Sequence, residues 1–381
     1  MASLYLHIPF CLSKCPYCDF YSCSPKADDI NRYVEALCTD LKTSRVTYGR
    51  DEGFGSELTS VFFGGGTPSL LSASQVAKVL YVAEREFGFV ADVEISLEAN
   101  PGTVSAESLA GYRSAGVNRL SLGVQSFDDE QLAWLGRRHD SEQALNAMAM
   151  ARKAGFDRLS IDLMFSVPNQ TKAHLQQQIE YVEQFSPEHL SVYGLTIEEQ
   201  TPFAQQFDAG QWQMPDEEQY RQSFMFIDEQ LTRLGYGHYE ISNYAKAGYE
   251  CRHNVGYWHR QPYLGIGAGA HTFLDGNWGE RWSCENSVTV YVDAIAEGRC
   301  PRKKIEEFDQ QQAMFEAVYL MLRCQCGVNE SDFQRQYGKS FALNYAQSIE
   351  QCAPYLHLKE GSWRLTNEGW LLYNYLIENF L

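Results

Sequence analysis

The sequence predicts an α/β protein: six strand–helix units in a parallel sheet, then a small helical, winged-helix-like C-terminal module. Three observations point there. Short apolar runs alternate with helical patterns over about residues 3–200, as parallel sheets with right-handed crossovers require. Six units are too few for a closed eight-fold barrel, which leaves an open, partial barrel or a doubly wound sheet. Beyond Pro202 the alternation stops, and the tail reads helix, helix, hairpin, helix.

In chain order, strands are expected at Leu4–His7, Ser60–Phe63, Val93–Leu97, Arg119–Val124, Arg158–Leu163 and His189–Leu195. Helical periodicity fills the gaps, at Asp29–Thr43, Ser72–Glu86, Ala106–Ala115, Asp128–Leu135, Ser141–Ala154 and Lys172–Phe185. A helix is expected at Asp216–Leu234, followed by an aromatic, Gly-rich stretch over Gly235–Trp282. The last part predicts helices at Asp309–Arg323 and Glu330–Tyr337 and a hairpin over Leu356–Leu365, turning at Glu360-Gly361. Thr366 is placed to cap a final amphipathic helix, Glu368–Phe380. The expected domains are 1–205 for the core, 206–305 for an extension and 306–381 for the C-terminal module.

Composition narrows the function classes. A net charge of −18 over 381 residues lacks the basic footprint that nucleic acid demands. The winged-helix-like tail is therefore expected to pack or to meet a partner, with a homodimer as one expectation, and not to read DNA. No apolar run approaches the roughly 20 residues of a membrane span, and the opening MASLYLHIPFC, which lacks a basic segment followed by a long apolar one, is expected to be a strand and not a secretory signal. Eleven cysteines without such a signal fit a reducing cytoplasm and a metal site better than a disulfide framework.

The chemistry concentrates in Cys11-Leu-Ser-Lys-Cys15-Pro-Tyr-Cys18, on the loop after the first strand. Soft thiolates favour an iron–sulfur cluster or zinc. Structural zinc wants four ligands, usually as two separated pairs, and this compact trio has no obvious partner pair. A structural zinc scaffold stays as an alternative, distinguished by zinc without sulfide. Three ligands on four irons would leave one iron open to a substrate. Further polar groups end the following strands. Phe63-Gly64-Gly65-Gly66-Thr67-Pro68 follows the second, Glu98 ends the third, Gln125 ends the fourth and Asp162 lies in the fifth. Polar residues at the C-terminal strand ends of a β/α array converge on one mouth.

CxxxCxxC after the first strand resembles the radical-SAM superfamily, and the flanking Tyr5-Leu-His7-Ile-Pro-Phe-Cys11 resembles its subgroup of oxygen-independent coproporphyrinogen III oxidases and HemW-type haem chaperones. The resemblance covers nearly the whole chain. It implies a partial (β/α)6 radical-SAM barrel and a [4Fe–4S] cluster on Cys11, Cys15 and Cys18. It also implies that S-adenosylmethionine (SAM) chelates the open iron. The implied SAM contacts are Tyr5, Tyr17, Gly65, Gly66, Thr67, Glu98, Gln125, Arg137 and Asp162, with Arg137 suited to the SAM carboxylate. One departure is Ser166-Val-Pro168, where the family carries Gly-Leu-Pro. A position that needs positive φ would be strained by Ser166.

Three features separate the two branches. The oxidases carry a further Cys two residues after the third ligand, whereas Cys18 is followed by Asp19-Phe20. They also carry a longer extension ahead of the cluster loop. Finally, His253-Asn254-Val-Gly-Tyr257-Trp258, preceded by Tyr239-Glu240-Ile-Ser-Asn-Tyr244-Ala, resembles the HNxxYW motif of the chaperone branch. That likeness implies haem contact by His253, Tyr257 and Trp258, with the axial ligand open among His253, Cys251, Tyr257 and His271. An imidazole ligand and stacked aromatics suit a macrocycle. The residue-level alternative is that His253 is a hydrogen-bonded core residue and that Tyr257 and Trp258 pack the barrel wall. The expectation is a cytoplasmic haem chaperone without coproporphyrinogen oxidase activity, with an oxygen-independent coproporphyrinogen III oxidase, a radical-SAM oxidative decarboxylase, as the alternative. It would pass haem to an acceptor protein and touch membrane-bound haem proteins transiently.

Overall fold

A computed structural model describes residues 2–26, 28–47 and 57–381. Six parallel strands form the centre of one sheet: β1 Ala2–Ile8, β2 Leu58–Gly65, β3 Phe89–Ala99, β4 Arg119–Gln125, β5 Leu159–Phe165 and β6 His189–Gly194. Each of the six expected strands falls on one of these. The crossover helices start where side chains can satisfy the free backbone N–H groups. Ser72 with Gln75, Asp140 with Gln143 and Thr171 with His174 all form reciprocal caps.

The parallel strands are covered on their outer face by helices, so Leu4, Leu6 and Ile8 are fully buried. Their neighbours Ser3, Tyr5 and His7 turn inward, and the same alternation carries Ser60, Glu94, Arg119, Ser160 and His189 into a polar lumen. Ser60 Oγ donates to Ser3 Oγ at 2.9 Å, and Ser160 Oγ lies 2.8 Å from His189 Nδ1. These four lumen groups are thus paired, as burial demands.

The segment after Pro202 widens the sheet at both edges. β8 Asn243–Ala245 pairs antiparallel with β6 and β7 Gly237–Glu240 antiparallel with β8, whereas β9 Tyr263–Ile266 pairs parallel with β1. β10 His271–Leu274, β11 Glu280–Cys284 and β12 Arg302–Glu307 continue outward from β9. The order is β12-β11-β10-β9-β1-β2-β3-β4-β5-β6-β8-β7. Its two ends are different strands, so the barrel is open. A buried ion pair clamps the β1 side: Arg302 donates to Asp40 at 2.9 and 2.8 Å, and Tyr291 OH donates to the same carboxylate at 2.7 Å.

The C-terminal module holds the helix Gln310–Met321 and a small antiparallel sheet of β13 Val328–Asn329, β14 Leu356–Lys359 and β15 Ser362–Leu365. The hairpin turns at Glu360 and Gly361, both at positive φ. The final helix differs from expectation. Thr366 caps it, accepting from Gly369 N–H, but the helix breaks at Leu372 into Asn367–Leu371 and Tyr373–Ile377. The break lets Trp370, Tyr373 and Leu376 all reach the core.

Candidate functional site

The three cysteines of the CxxxCxxC loop open onto one cavity of about 450 Å³ at the C-terminal ends of the parallel strands. The loop is pinned to the barrel: Cys23 N–H donates to the Pro9 carbonyl at 2.7 Å, and Cys11 N–H to the Cys23 carbonyl at 3.0 Å. Cys18 N–H donates to the Cys15 carbonyl at 3.1 Å, curling the three sulfurs toward the mouth. Among the described residues no three His, Cys, Asp or Glu side chains converge on a single-ion site. A cubane asks less convergence of its ligands, because each sulfur takes a separate iron.

Eight of the nine residues expected to hold SAM line this same cavity: Tyr17, Gly65, Gly66, Thr67, Glu98, Gln125, Arg137 and Asp162. Their positions follow from backbone geometry. Gly65 has φ +111°, and a Cβ there would meet the His7 ring at 2.6 Å. A Cβ on Gly66 would lie 2.8 Å from the Phe10 carbonyl oxygen, so the turn can pass under the cysteine loop only as glycine. Thr67 Oγ1 lies 3.5 Å from Cys11 Sγ. Gln125, at the end of β4, holds φ +68°.

Electrostatics divides the cavity. Arg137 donates to Gly123 O at 2.8 Å and reaches Cys15 Sγ at 3.4 Å and Tyr17 OH at 3.5 Å. Its buried Nε has no partner among the described residues, as suits a guanidinium reserved for an anionic ligand. Opposite stand two half-buried carboxyls. Glu98 accepts from Gly65 N–H at 3.1 Å and is pushed up to about 8, first by burial and then by Asp162. Burial also raises Asp162, which accepts from Ser121 Oγ at 3.2 Å. A cation-bearing ligand would relieve both carboxyls. The cavity therefore presents a cationic wall near the sulfurs and acid groups across from it, which fits a ligand carrying both a carboxylate and positive charge.

Tyr5 is the exception. Its side chain lies below the mouth, with the hydroxyl 3.1 Å from His7 Nδ1. Sequence reasoning missed Ser121, Met164, Tyr193, Leu195, Thr196 and Glu198, which also line the cavity. The last four follow directly from the end of β6, and the rule applied to the earlier strands reaches them.

Ser166 behaves as its sequence context warned. It takes φ +58°, and its buried Oγ has no partner among the described residues.

The HNxxYW segment forms the helix Arg252–Trp258 and sits at the other end of the lumen. His253 is 1% exposed, with Nδ1 2.9 Å from Ser60 Oγ and Nε2 2.8 Å from Tyr257 OH. Its ring stacks on Phe62 with centroids 5.0 Å apart, and burial pushes it down to about 3. Both nitrogens are occupied, so in this conformation the imidazole is a lumen plug and presents no free ligand position. Trp258 is half-buried, and Arg323 lies 5.0 Å over its ring. Cys251 is fully buried, with Sγ 3.7 Å from Glu94 Oε1, and burial pushes its thiol up to about 12. It is an inert thiol here. His271 is exposed, at the start of β10 on the mouth side next to His7.

Comparison with known proteins gives the arrangement a context. Residues 5–182 match the family model of the radical SAM superfamily, and residues 308–372 match the HemN C-terminal domain. The chain is 35% identical over 384 residues to a Bacillus subtilis protein named "Heme chaperone HemW", covering 100% of this chain and 99% of that one. It is 38% identical to the Haemophilus influenzae protein of the same name, covering 100% and 97%, and 36% identical to the Escherichia coli one, covering 100% and 98%. Among solved structures it resembles the Escherichia coli coproporphyrinogen III oxidase HemN, with a TM-score of 0.84 and 24% identity over 100% of this chain and 89% of that one. That likeness fixes the fold alone.

Proposed function

The chain belongs to the radical-SAM superfamily, in the family of the HemW relatives, and from that premise we propose that it is a haem chaperone that carries a SAM-bearing [4Fe–4S] cluster and passes haem to an acceptor protein. The observation that carries the cofactor part is the single cavity onto which Cys11, Cys15 and Cys18 open together with eight residues suited to SAM. Each cysteine sulfur would take one iron. Arg137, with its free Nε beside Cys15, would hold the SAM carboxylate. Glu98 and Asp162 would accept from the ammonium or the ribose hydroxyls, and Gly65 and Gly66 would let the ligand approach the backbone. When bound, the cluster supplies one electron and an open iron.

For haem, the support is the name shared by the full-length relatives together with the HNxxYW helix. We assign haem contact to that helix, where the rings of Tyr257 and Trp258 are both half-buried. His253 and Tyr257 become available once the Ser60–His253–Tyr257 bonds open. The setting is the cytoplasm, and the partners are haem and an acceptor protein, with self-association and transient contact with membrane-bound haem proteins as further parts of the proposal.

The test separates chaperone from oxidase. The cluster is reconstituted anaerobically, iron and sulfide are quantified, and SAM, a reductant and coproporphyrinogen III are added. No protoporphyrinogen from a SAM-competent cluster is the expected result. Its formation would make this a decarboxylating enzyme and end the chaperone reading.

A further inference from the structure

Two cysteines play no part in the account above. Cys324 and Cys326 stand in Arg323-Cys324-Gln325-Cys326-Gly327, just after the helix Gln310–Met321. Backbone bonds stitch this segment to β7. Gln325 N–H donates to the Tyr239 carbonyl at 2.9 Å, and Ile241 N–H to the Arg323 carbonyl at 3.0 Å. Cys324 also forms an isolated antiparallel bridge with Glu240. Gly327, at φ +62°, then turns the chain so that its N–H donates to the Cys324 carbonyl at 3.0 Å.

That turn holds both cysteines in one short segment. Cys324 is 5% exposed, whereas Cys326 is exposed. The thiol of Cys324, two residues before Cys326, donates to the Leu320 carbonyl at 3.9 Å. From another element, His259 Nε2 lies 3.9 Å from Cys326 Sγ. An outer sulfur open to solvent, an imidazole beside it and an inner thiol two residues away in the same turn make the constellation of an attacking thiolate with a resolving partner. Charge agrees with the geometry. The neighbouring Cys324 thiol, helped by His259 against burial, pulls the Cys326 thiol well below the ordinary range. The Cys326 sulfur, and then burial, keeps Cys324 protonated. The hydrogen bond to Cys326 raises His259. The other ionisable groups facing the trio are Asp332, Glu240, Arg323 and Tyr373.

We propose that Cys326 and Cys324 are a redox-active thiol pair whose substrates are small-molecule disulfides, with Cys326 the nucleophile, Cys324 the resolving thiol and His259 its positioning residue. The Cys326 thiolate attacks one sulfur of a disulfide RSSR, forming a mixed disulfide and releasing RS⁻. Cys324 then gives up its proton and attacks the Cys326 sulfur, releasing the second RS⁻. The chain's two thiols are oxidised to one disulfide, RSSR is reduced to two thiols, and the two protons shed by the cysteines end on them. The site is separate from the cluster cavity, and its presence does not depend on haem or SAM.

The experiment uses the intact, cluster-loaded chain under anaerobic conditions, with oxidised glutathione as the disulfide probe. After thiol blocking, peptide mapping by mass spectrometry should find an internal Cys324–Cys326 disulfide. Cys324→Ser should trap glutathione on Cys326, and Cys326→Ser should leave Cys324 unmodified. At about pH 6.5, iodoacetamide should label Cys326 about tenfold faster than the exposed Cys300, because only a thiolate reacts. His259→Gln should move the Cys326 labelling midpoint to higher pH. Cluster absorbance and thermal unfolding, measured on each variant, confirm that the fold is kept. No Cys324–Cys326 disulfide in the unmodified chain, or Cys326 labelling with the pH profile of Cys300, would overturn the proposal.

Discussion

Glu98 should make SAM binding depend on pH, by an amount the structure sets. Its half-buried carboxyl accepts one backbone N–H from Gly65 at 3.1 Å and faces Asp162. Burial first, and Asp162 second, push it up to about 8. In the free chain at pH 7 it is therefore mostly neutral. A ligand bearing an ammonium and a sulfonium binds best to the carboxylate, so binding must displace a proton. Each pH unit below the folded value costs about 1.4 kcal/mol, or about tenfold in affinity. Between about pH 6 and 7 the SAM dissociation constant should fall about tenfold, flattening above about pH 8. The stability of the free fold changes in the opposite direction. A carboxyl raised by folding contributes stability that is complete below its unfolded value and is lost as pH rises through about 8. Glu98→Gln keeps an acceptor for Gly65 but cannot titrate, so its profile should lose this slope. Calorimetry in buffers of different ionisation heat, on reconstituted protein, reads both affinity and protons released. The difference between the two proteins isolates Glu98 from titration of the ligand itself. Equal slopes in wild type and Glu98→Gln would refute the assignment.

Three further outcomes follow from the packing. His253→Ala removes two buried hydrogen bonds and a stack on Phe62, so it should cost about 3 kcal/mol. It should weaken haem binding while leaving cluster absorbance intact, read by thermal unfolding and spectrophotometric titration below the melting range. Unchanged haem affinity would remove His253 from the haem site. Ser166→Gly relieves a left-handed backbone at φ +58° and should stabilise the chain by about 1 kcal/mol in a denaturant titration. A loss of stability would show that the serine side chain is needed there. Asp40→Ala strands Arg302 in a buried site, and a loss of about 3–5 kcal/mol is expected. A change below about 1 kcal/mol would show that the clamp between the first helix and β12 is dispensable.

Most of the barrel was legible because it is repetitive. Parallel strands such as β1 and β5 alternate apolar core-facing residues with inward-facing ones, and capping pairs such as Thr171 with His174 mark where helices begin. The helix Lys172–Phe185 has the bounds its periodicity predicts. The stretch over 235–282 was opaque because its strands are three to five residues long. Runs that short carry too few turns of either period to distinguish. Their attachment to opposite edges of the sheet depends on tertiary pairing that no local pattern encodes.

The same contrast holds at the site. Glu98, Gln125 and Asp162 were found because strand ends share one mouth. Tyr5 was misplaced because alternation reveals which face a residue takes but not its depth, and its hydroxyl is spent on His7. Motif likeness marked His253 as a ligand, while its two hydrogen bonds became visible only when β2 brought Ser60 beside it. The Cys324–Cys326–His259 trio was unreadable because 67 residues separate the imidazole from its sulfur.

The central claim is haem carriage, and a haem titration of the cluster-loaded chain tests it most directly. The account predicts a saturable absorbance change with about one haem per chain, lost or weakened when the HNxxYW helix is altered at Trp258 or His253. A linear, non-saturating response indistinguishable between wild type and those variants would contradict it.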